Sequence, residues 1–261
     1  MELPQYTWLR NKTSRAFVPL HLMRFSKPII LLVLTIASLG SFAQRDIPEN
    51  LPKFDNRKLH FGFQLGLSSN GFNVEQDLTL GDSLTRLEMG REPGFIIHVV
   101  SELHLGPYFG LRFTPGIAFA SRNLQYTYFT SSNTAQSPVI RTIESTFVDI
   151  PLYLKYRSAR VNNFAQYIFA GFNYSIDLAS QQFVDNTVDE KGEFIVKLQR
   201  MNYMVEAGVG FDFFLEYFKF SPELRFSYGI NNIIVQDETK FANPVNQLNS
   251  RIIALSFNFE G

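Results

Sequence analysis

The sequence has no cysteine, one tryptophan and four histidines. Without thiols there is no disulfide framework and no thiolate metal site, and His21, His60, His98 and His104 have no metal-ligand spacing. Charge of one sign is also missing. The formal net charge is zero, which gives no electrostatic case for nucleic acid. The apolar run Ile29–Leu39 falls short of the ~20 residues a bilayer-spanning helix needs. No Gly-rich phosphate loop, Walker motif or zinc motif is present, and no nucleophile motif surrounds any serine. What the chain has in quantity is aromatic side chains: 27 Phe and 11 Tyr in 261 residues.

Those aromatics recur with a period of two. In Phe147–Tyr156 (FVDIPLYLKY), Val148, Ile150, Leu152, Leu154 and Tyr156 alternate with Asp149, Pro151, Tyr153 and Lys155. Such alternation is a strand with one apolar and one polar face. The pattern recurs along the chain, and charge is kept off the apolar face. This predicts an all-β fold: an eight-stranded antiparallel transmembrane outer-membrane β-barrel with long extracellular loops and short periplasmic turns. A soluble lipocalin-like barrel would need the reverse arrangement, apolar inside and polar outside.

The N-terminus reads as a targeting segment. Arg24 and Lys27 precede the apolar run, and Ser41-Phe42-Ala43 supplies the small residues signal peptidase reads, so residues 1–43 form a signal peptide cut between Ala43 and Gln44. Starting at Met23 gives a signal of ordinary proportions, which makes Met23 the expected true start. Residues 44–58, with Pro48 and Pro52, read as an extended periplasmic leader, and 59–261 as the barrel domain.

The first strand, Leu59–Leu67, turns Leu59, Phe61, Phe63, Leu65 and Leu67 outward and His60 and Gln64 inward. The second, Phe95–Leu103, places His98 and Glu102 inside, and the third, Phe109–Phe119, hides Arg112. Leu124, Tyr126 and Tyr128 lie on the opposite phase, which predicts a bulge near Ser121. The fourth strand is Phe147–Tyr156, the fifth Phe164–Ile176 and the sixth Tyr203–Phe213. The seventh is Phe218–Tyr228 and the eighth Ile253–Phe259.

Short links are expected at Gly106-Pro107, 158–163 and 215–217, and long ones at 68–93, 124–141, 179–200 and 231–250. Long and short alternate, as in outer-membrane barrels, with both termini periplasmic. Pro115, Pro151 and Pro222 fall within proposed strands, so each is expected at a bulge or strand end.

The inward set carries Glu102, Arg112, Asp149, Lys155, Glu206, Asp212, Lys219, Glu223 and Arg225. Eight strands leave an interior just wide enough for side chains to fill. These nine are therefore expected to form an ion-paired polar network that plugs the lumen, leaving no solute pore. His60 and His98 with Ser68 and Ser69 are the residues nearest to a hydrolytic site, but a lone inward histidine is more often a polar filler. Catalytic, cofactor and metal sites are accordingly expected to be absent. Tyr156, Tyr174, Tyr203, Tyr217 and Tyr228 sit near strand ends, at the headgroup level that amphipathic rings favour.

Three stretches carry a family resemblance. The approach to the first strand, Asn50-Leu51-Pro52-Lys53-Phe54-Asp55 followed by Lys58–Phe63, resembles PorT-like outer-membrane proteins. Val148–Tyr156, with Asp149 and Pro151, and Ser221–Ile230, with Pro222, Glu223 and Arg225, resemble motifs of the wider barrel family. The resemblance implies an outer-membrane component required by the type IX secretion system, which exports cargo with a C-terminal targeting domain and supports gliding motility. Other secretion components and outer-membrane lipid are the implied partners, with no small-molecule substrate and no catalytic residue to carry over. A small-ligand or adhesion barrel built on the same motifs is the competing expectation. The C-terminus departs slightly from the usual terminal aromatic, since Phe259 stands two residues in.

Overall fold

The computed structural model describes residues 48–76, 84–128, 139–180, 182, 196–235 and 245–261. The expected signal peptide, Met23 and the Ala43–Gln44 junction lie outside the described residues. Nine strands follow one another: β1 (Leu59–Gln76), β2 (Leu84–His104), β3 (Phe109–Phe113), β4 (Gly116–Tyr128) and β5 (Val139–Arg157), then β6 (Phe164–Asp177), β7 (Met201–Phe214), β8 (Lys219–Gly229) and β9 (Val245–Glu260). Every pairing is antiparallel, and β1 pairs with both β2 and β9, which closes the sheet on itself. β3 and β4 each pair with β2 and with β5, so together they form a single stave interrupted at Thr114-Pro115. The wall is thus a ring of eight, and closure leaves no edge whose unpaired backbone would meet hydrocarbon.

The prolines mark the wall's irregularities. Pro115 sits at the interruption, where its carbonyl still accepts from the Val99 N–H at 2.9 Å. Of the bulge or strand end expected for each, Pro151 and Pro222 are at no strand end; each lies inside its strand, beside a lapse in one ladder. Pro151 lies inside β5, and its carbonyl accepts from Thr114 N at 3.4 Å. The missing N–H of Pro151 points to the same side, at the gap beside Pro115, so two donor-less residues share one defect. Pro222 pairs with Phe257 on β9, and the β7–β8 ladder lapses between Gly210–Glu223 and Phe213–Phe220, where no donor is needed from it.

Around the middle of the ring the outward face is apolar: Phe63, Leu65, Ile97, Leu154, Ile168 and Phe211 are exposed, and their inward neighbours are buried. The strands run well past this band at one end. Residues 68–76 and 84–93, expected to be loop, continue β1 and β2. In these extensions the faces exchange character without any change of backbone parity. Leu124 and Tyr126 are fully buried inside, and Asn123 and Gln125 face out. The same holds on β5, where Ile143, Ser145 and Phe147 face in and Thr142, Glu144 and Thr146 face out.

No parity flip therefore occurs at Ser121. β4 pairs with β5 in unbroken register through Ser121–Glu144, and the irregularity lies on β2, between Arg91 and Gly94. The pattern reverses because the wall leaves hydrocarbon for water, where the ordinary rule of apolar inside applies. Phe72, Leu124, Tyr126, Leu198, Ile233, Ile234, Val245 and Leu248 form an apolar core within this extension.

The opposite end carries the short links, at 105–108, 158–163 and 215–218. Residues 48–58 are not an extended free leader. Residues 51–56 form a turn under the ring, with Leu51 at a φ of 50°. Phe54 inserts there among Leu51, Ala165 and Phe214.

Candidate functional site

Among the described residues, the buried ionisable groups converge in the interior of the ring, and alternation puts them there. Each wall strand sends every second side chain inward, so antiparallel register brings inward residues of different strands to the same height. Glu102 lies opposite Arg112 on β2–β3, Asp149 opposite Ser175 on β5–β6, and Lys219 opposite Glu260 on β8–β9.

All nine charged residues read from the alternation are buried. Arg112 is the hub of the lower network. Its Nε donates to Glu102 Oε2 at 2.8 Å, its Nη1 to Glu223 Oε2 at 3.0 Å and its Nη2 to Glu260 Oε1 at 3.0 Å. Lys155 Nζ bridges Glu102 at 3.2 Å and Asp212 at 3.4 Å, and Lys219 Nζ donates to Glu260 at 2.9 Å. Neutral donors add to these carboxylates: Ser221 Oγ donates to Asp212 Oδ1 at 2.5 Å, and Tyr167 Oη donates at 2.9 Å to Glu223 Oε2, the oxygen that Arg112 also reaches.

A second cluster lies above. Arg225 Nη1 donates to Tyr153 Oη at 2.8 Å, and Tyr153 Oη in turn donates to Glu206. Asn173 Nδ2 donates to the other Glu206 oxygen at 3.2 Å. Gln64 joins the lower network to His98, since it donates to Glu223 Oε1 at 3.4 Å and to Asn258 at 2.7 Å and contacts His98 Nδ1 at 3.1 Å.

Alternation also reaches residues that strand limits set too short had missed. Glu260 lies one step beyond the expected end of the last strand, and Asp177 one beyond the fifth; both are buried. Arg122 is buried between the Phe72 and Phe147 rings and donates to Ser145 Oγ at 2.6 Å. Counting two residues on from Asn258, Ser175 and Ala120 was enough signal to find all three.

Around this network the packing is close. Inward Gly208 and Gly210 on β7 lie beside Phe169 and Tyr167 on β6, and a Cβ at either position would meet those rings at 2.4 and 2.2 Å. The polar layer is capped at both ends. The Phe54–Phe214 cluster closes the short-link end, and the apolar core of the extensions covers the other.

The arrangement suits structure and not hydrolysis. His98 Nε2 lies 3.4 Å from Asp149, and Ser175 Oγ donates to the other Asp149 oxygen at 2.6 Å. The carboxylate stands between imidazole and hydroxyl, so the histidine is not placed to take the serine proton. Ser68 is buried and accepts from Asn70 Nδ2 at 3.0 Å, and His60 contacts the Arg57 carbonyl at 3.0 Å. No metal-holding cluster of His, Asp or Glu occurs among the described residues.

The residues of the LPKFD motif are used by the fold itself. Asp55 pairs with Arg157 at 2.7 Å and Arg160 at 3.4 Å. Asn50 Nδ2 donates to the Phe214 carbonyl at 3.0 Å, and Arg160 donates to the Asn50 carbonyl. Leu51 packs against the Phe54 cluster, whereas Pro52 and Lys53 are exposed. Of the expected girdle rings, Tyr156, Tyr203 and Tyr228 are exposed on the outer wall, Tyr217 is exposed in the 215–218 link, and Tyr174 stacks on Tyr203 at 5.3 Å.

A family model described as outer membrane protein beta-barrel domain matches residues 42–235. Among solved structures, the chain is similar to the outer membrane protein OprG from Pseudomonas aeruginosa, at 14% identity and a TM-score of 0.44, covering 77% of this chain and 95% of that one. It is similar to Neisserial surface protein A at 13% identity and a TM-score of 0.37, covering 76% and 95%. Ail of Yersinia pestis, solved with the heparin analogue sucrose octasulfate, matches at 9% identity and a TM-score of 0.37, covering 78% and 100%. A comparison with curated proteins finds no match.

Proposed function

This chain belongs to the outer membrane protein beta-barrel domain family, and from that premise we propose a non-enzymatic, non-conducting barrel that serves as an assembly or accessory component of type IX protein secretion. The observation that carries the non-conducting role is the interior. A layer of mutually paired charges, capped by apolar clusters above and below, leaves the wall and its two ends as the surfaces for work. The secretion role rests on the resemblance of Asn50–Asp55 and its following strand to PorT-like proteins. In this reading both termini are periplasmic, and partners meet the exposed Pro52 and Lys53 beside the clasped turn, or the long loops.

The test is the secretome of a deletion strain. Cargo bearing the C-terminal targeting domain should vanish from the medium and accumulate in the periplasm, and expression from Met23 should restore export. Normal export would overturn the secretion role. A ligand-binding or adhesion role would then stand, favoured by the wall extension with its own apolar core, a rigid platform held clear of the membrane.

A further inference from the structure

The outer wall is not evenly apolar. On β6 and β7 the small outward residues Ala170 and Ala207 lie side by side, with Phe226 next to Ala207 on β8. One row toward the long-link end, Phe172, Val205, Tyr228 and Arg251 stand in register across four strands. Small residues flanked by large ones leave a groove of about 640 Å³ on the outer face, within the roughly 300–1,000 Å³ range of small-ligand sites.

The groove is amphipathic along its length. Its floor and sides are alanine and aromatic, and Arg251 stands at its upper end. Arg251 is exposed, and neither hydrogen bond nor ion pair engages it among the described residues. It lies between Tyr228 and Gly71 in the ladder, and the stacked Tyr174–Tyr203 pair is the next row toward the long-link end. Arg91, also exposed and without a partner among the described residues, runs its stem over Gly71, with Cγ 3.2 Å from where a Cβ there would lie. Two guanidiniums beside the exposed Tyr228 ring, at the end of an apolar groove on the outer wall, match a lipid with a negatively charged headgroup.

We propose that this groove is a binding site for a membrane phospholipid of net negative charge, with an acyl chain over Ala170 and Ala207 and the anionic headgroup held at its phosphate by Arg251, assisted by Arg91. A guanidinium binds phosphate through two parallel hydrogen bonds. This assignment requires the membrane wall and is independent of the secretion role.

The test uses the purified full chain in neutral detergent, titrated with palmitoyl-oleoyl phosphatidylglycerol or the matching phosphatidylcholine and read by native mass spectrometry. The expected result is retention of phosphatidylglycerol about fivefold above phosphatidylcholine, the factor for one basic side chain against an anionic headgroup. Arg251→Gln should erase that preference, and Ala207→Phe, which fills the groove, should lower retention of both lipids. Heat-dependent gel mobility checks that each variant remains folded; neither substitution enters the ring interior, and Arg251→Gln alone decides the headgroup contact. Equal retention of the two lipids, an unchanged preference in Arg251→Gln, or displacement by millimolar inorganic phosphate would each overturn the proposal.

Discussion

The ring of Phe54 stacks on the imidazole of His60 with centroids 3.8 Å apart and planes 19° from parallel. Phe54 precedes the first strand and His60 is the first inward residue within it, so the segment leading into the wall supplies the stopper at the short-link end. Lys219 Nζ stands 4.7 Å from the centre of the same ring, which places Phe54 directly against the charged network.

Truncating that stopper should weaken the barrel without opening it. Phe54→Ala is expected to cost about 3–5 kcal/mol, the range for a buried phenylalanine, read as a lower urea midpoint for the heat-dependent gel shift. In planar bilayers both the parent and Phe54→Ala should show no sustained conductance, because the network and the upper core remain. Stable channels in Phe54→Ala would mean that this ring alone seals the lumen.

Arg112 is the most consequential charge. Arg112→Met leaves Glu102, Glu223 and Glu260 without their shared cation, and the expected loss is about 3–5 kcal/mol, as for one partner removed from a buried ion pair. The double variant Glu102→Gln with Arg112→Met should recover part of that loss. An additive pair of losses in urea unfolding would show that the two side chains act independently.

The reversal of faces predicts where charge is tolerated. A lysine at Phe211, on the outward face within the apolar band, should cost about 2–4 kcal/mol if it falls near the bilayer midplane. A lysine at Gln125, outward on the extension, should fold like the parent, and Leu124→Asp next to it should fail to fold or lose most of its stability. Folding yields into lipid vesicles, compared across the three, check the boundary; equal yields for Phe211→Lys and Gln125→Lys would place both positions in the same medium.

Gly210 leaves space for a ring. Gly210→Val would drive a side chain into Tyr167, which is held by Glu223, and overpacking of this kind costs about 1–3 kcal/mol. Tyr167→Ala should partly rescue it. A drop in stability that Tyr167→Ala does not relieve would assign the glycine a purely backbone role.

Strand parity was legible because hydrocarbon enforces it residue by residue: an outward charge in the band is costly, so Glu102, Arg112 and Asp149 are inward wherever a strand carries them. The ends of strands were not legible. Past the band the same strand obeys the opposite rule, so Leu124 and Tyr126 looked like a phase shift, and residues 68–76 looked like loop, although the backbone continues unchanged. Glu260 and Asp177 were missed because each lies one step past an end set where the apolar alternation stopped.

By itself the sequence determined a closed antiparallel wall, its outward face and the identity of most inward charges, because a period of two and an apolar medium are local constraints. Only the tertiary structure decided which charges share partners, that Arg112 joins three carboxylates from three strands, and that residues 50–55 are clasped beneath the ring. Those depend on shear, on register and on contacts such as Asp55–Arg157 and Gln64–Asn258 between residues far apart in the chain, which no local periodicity encodes.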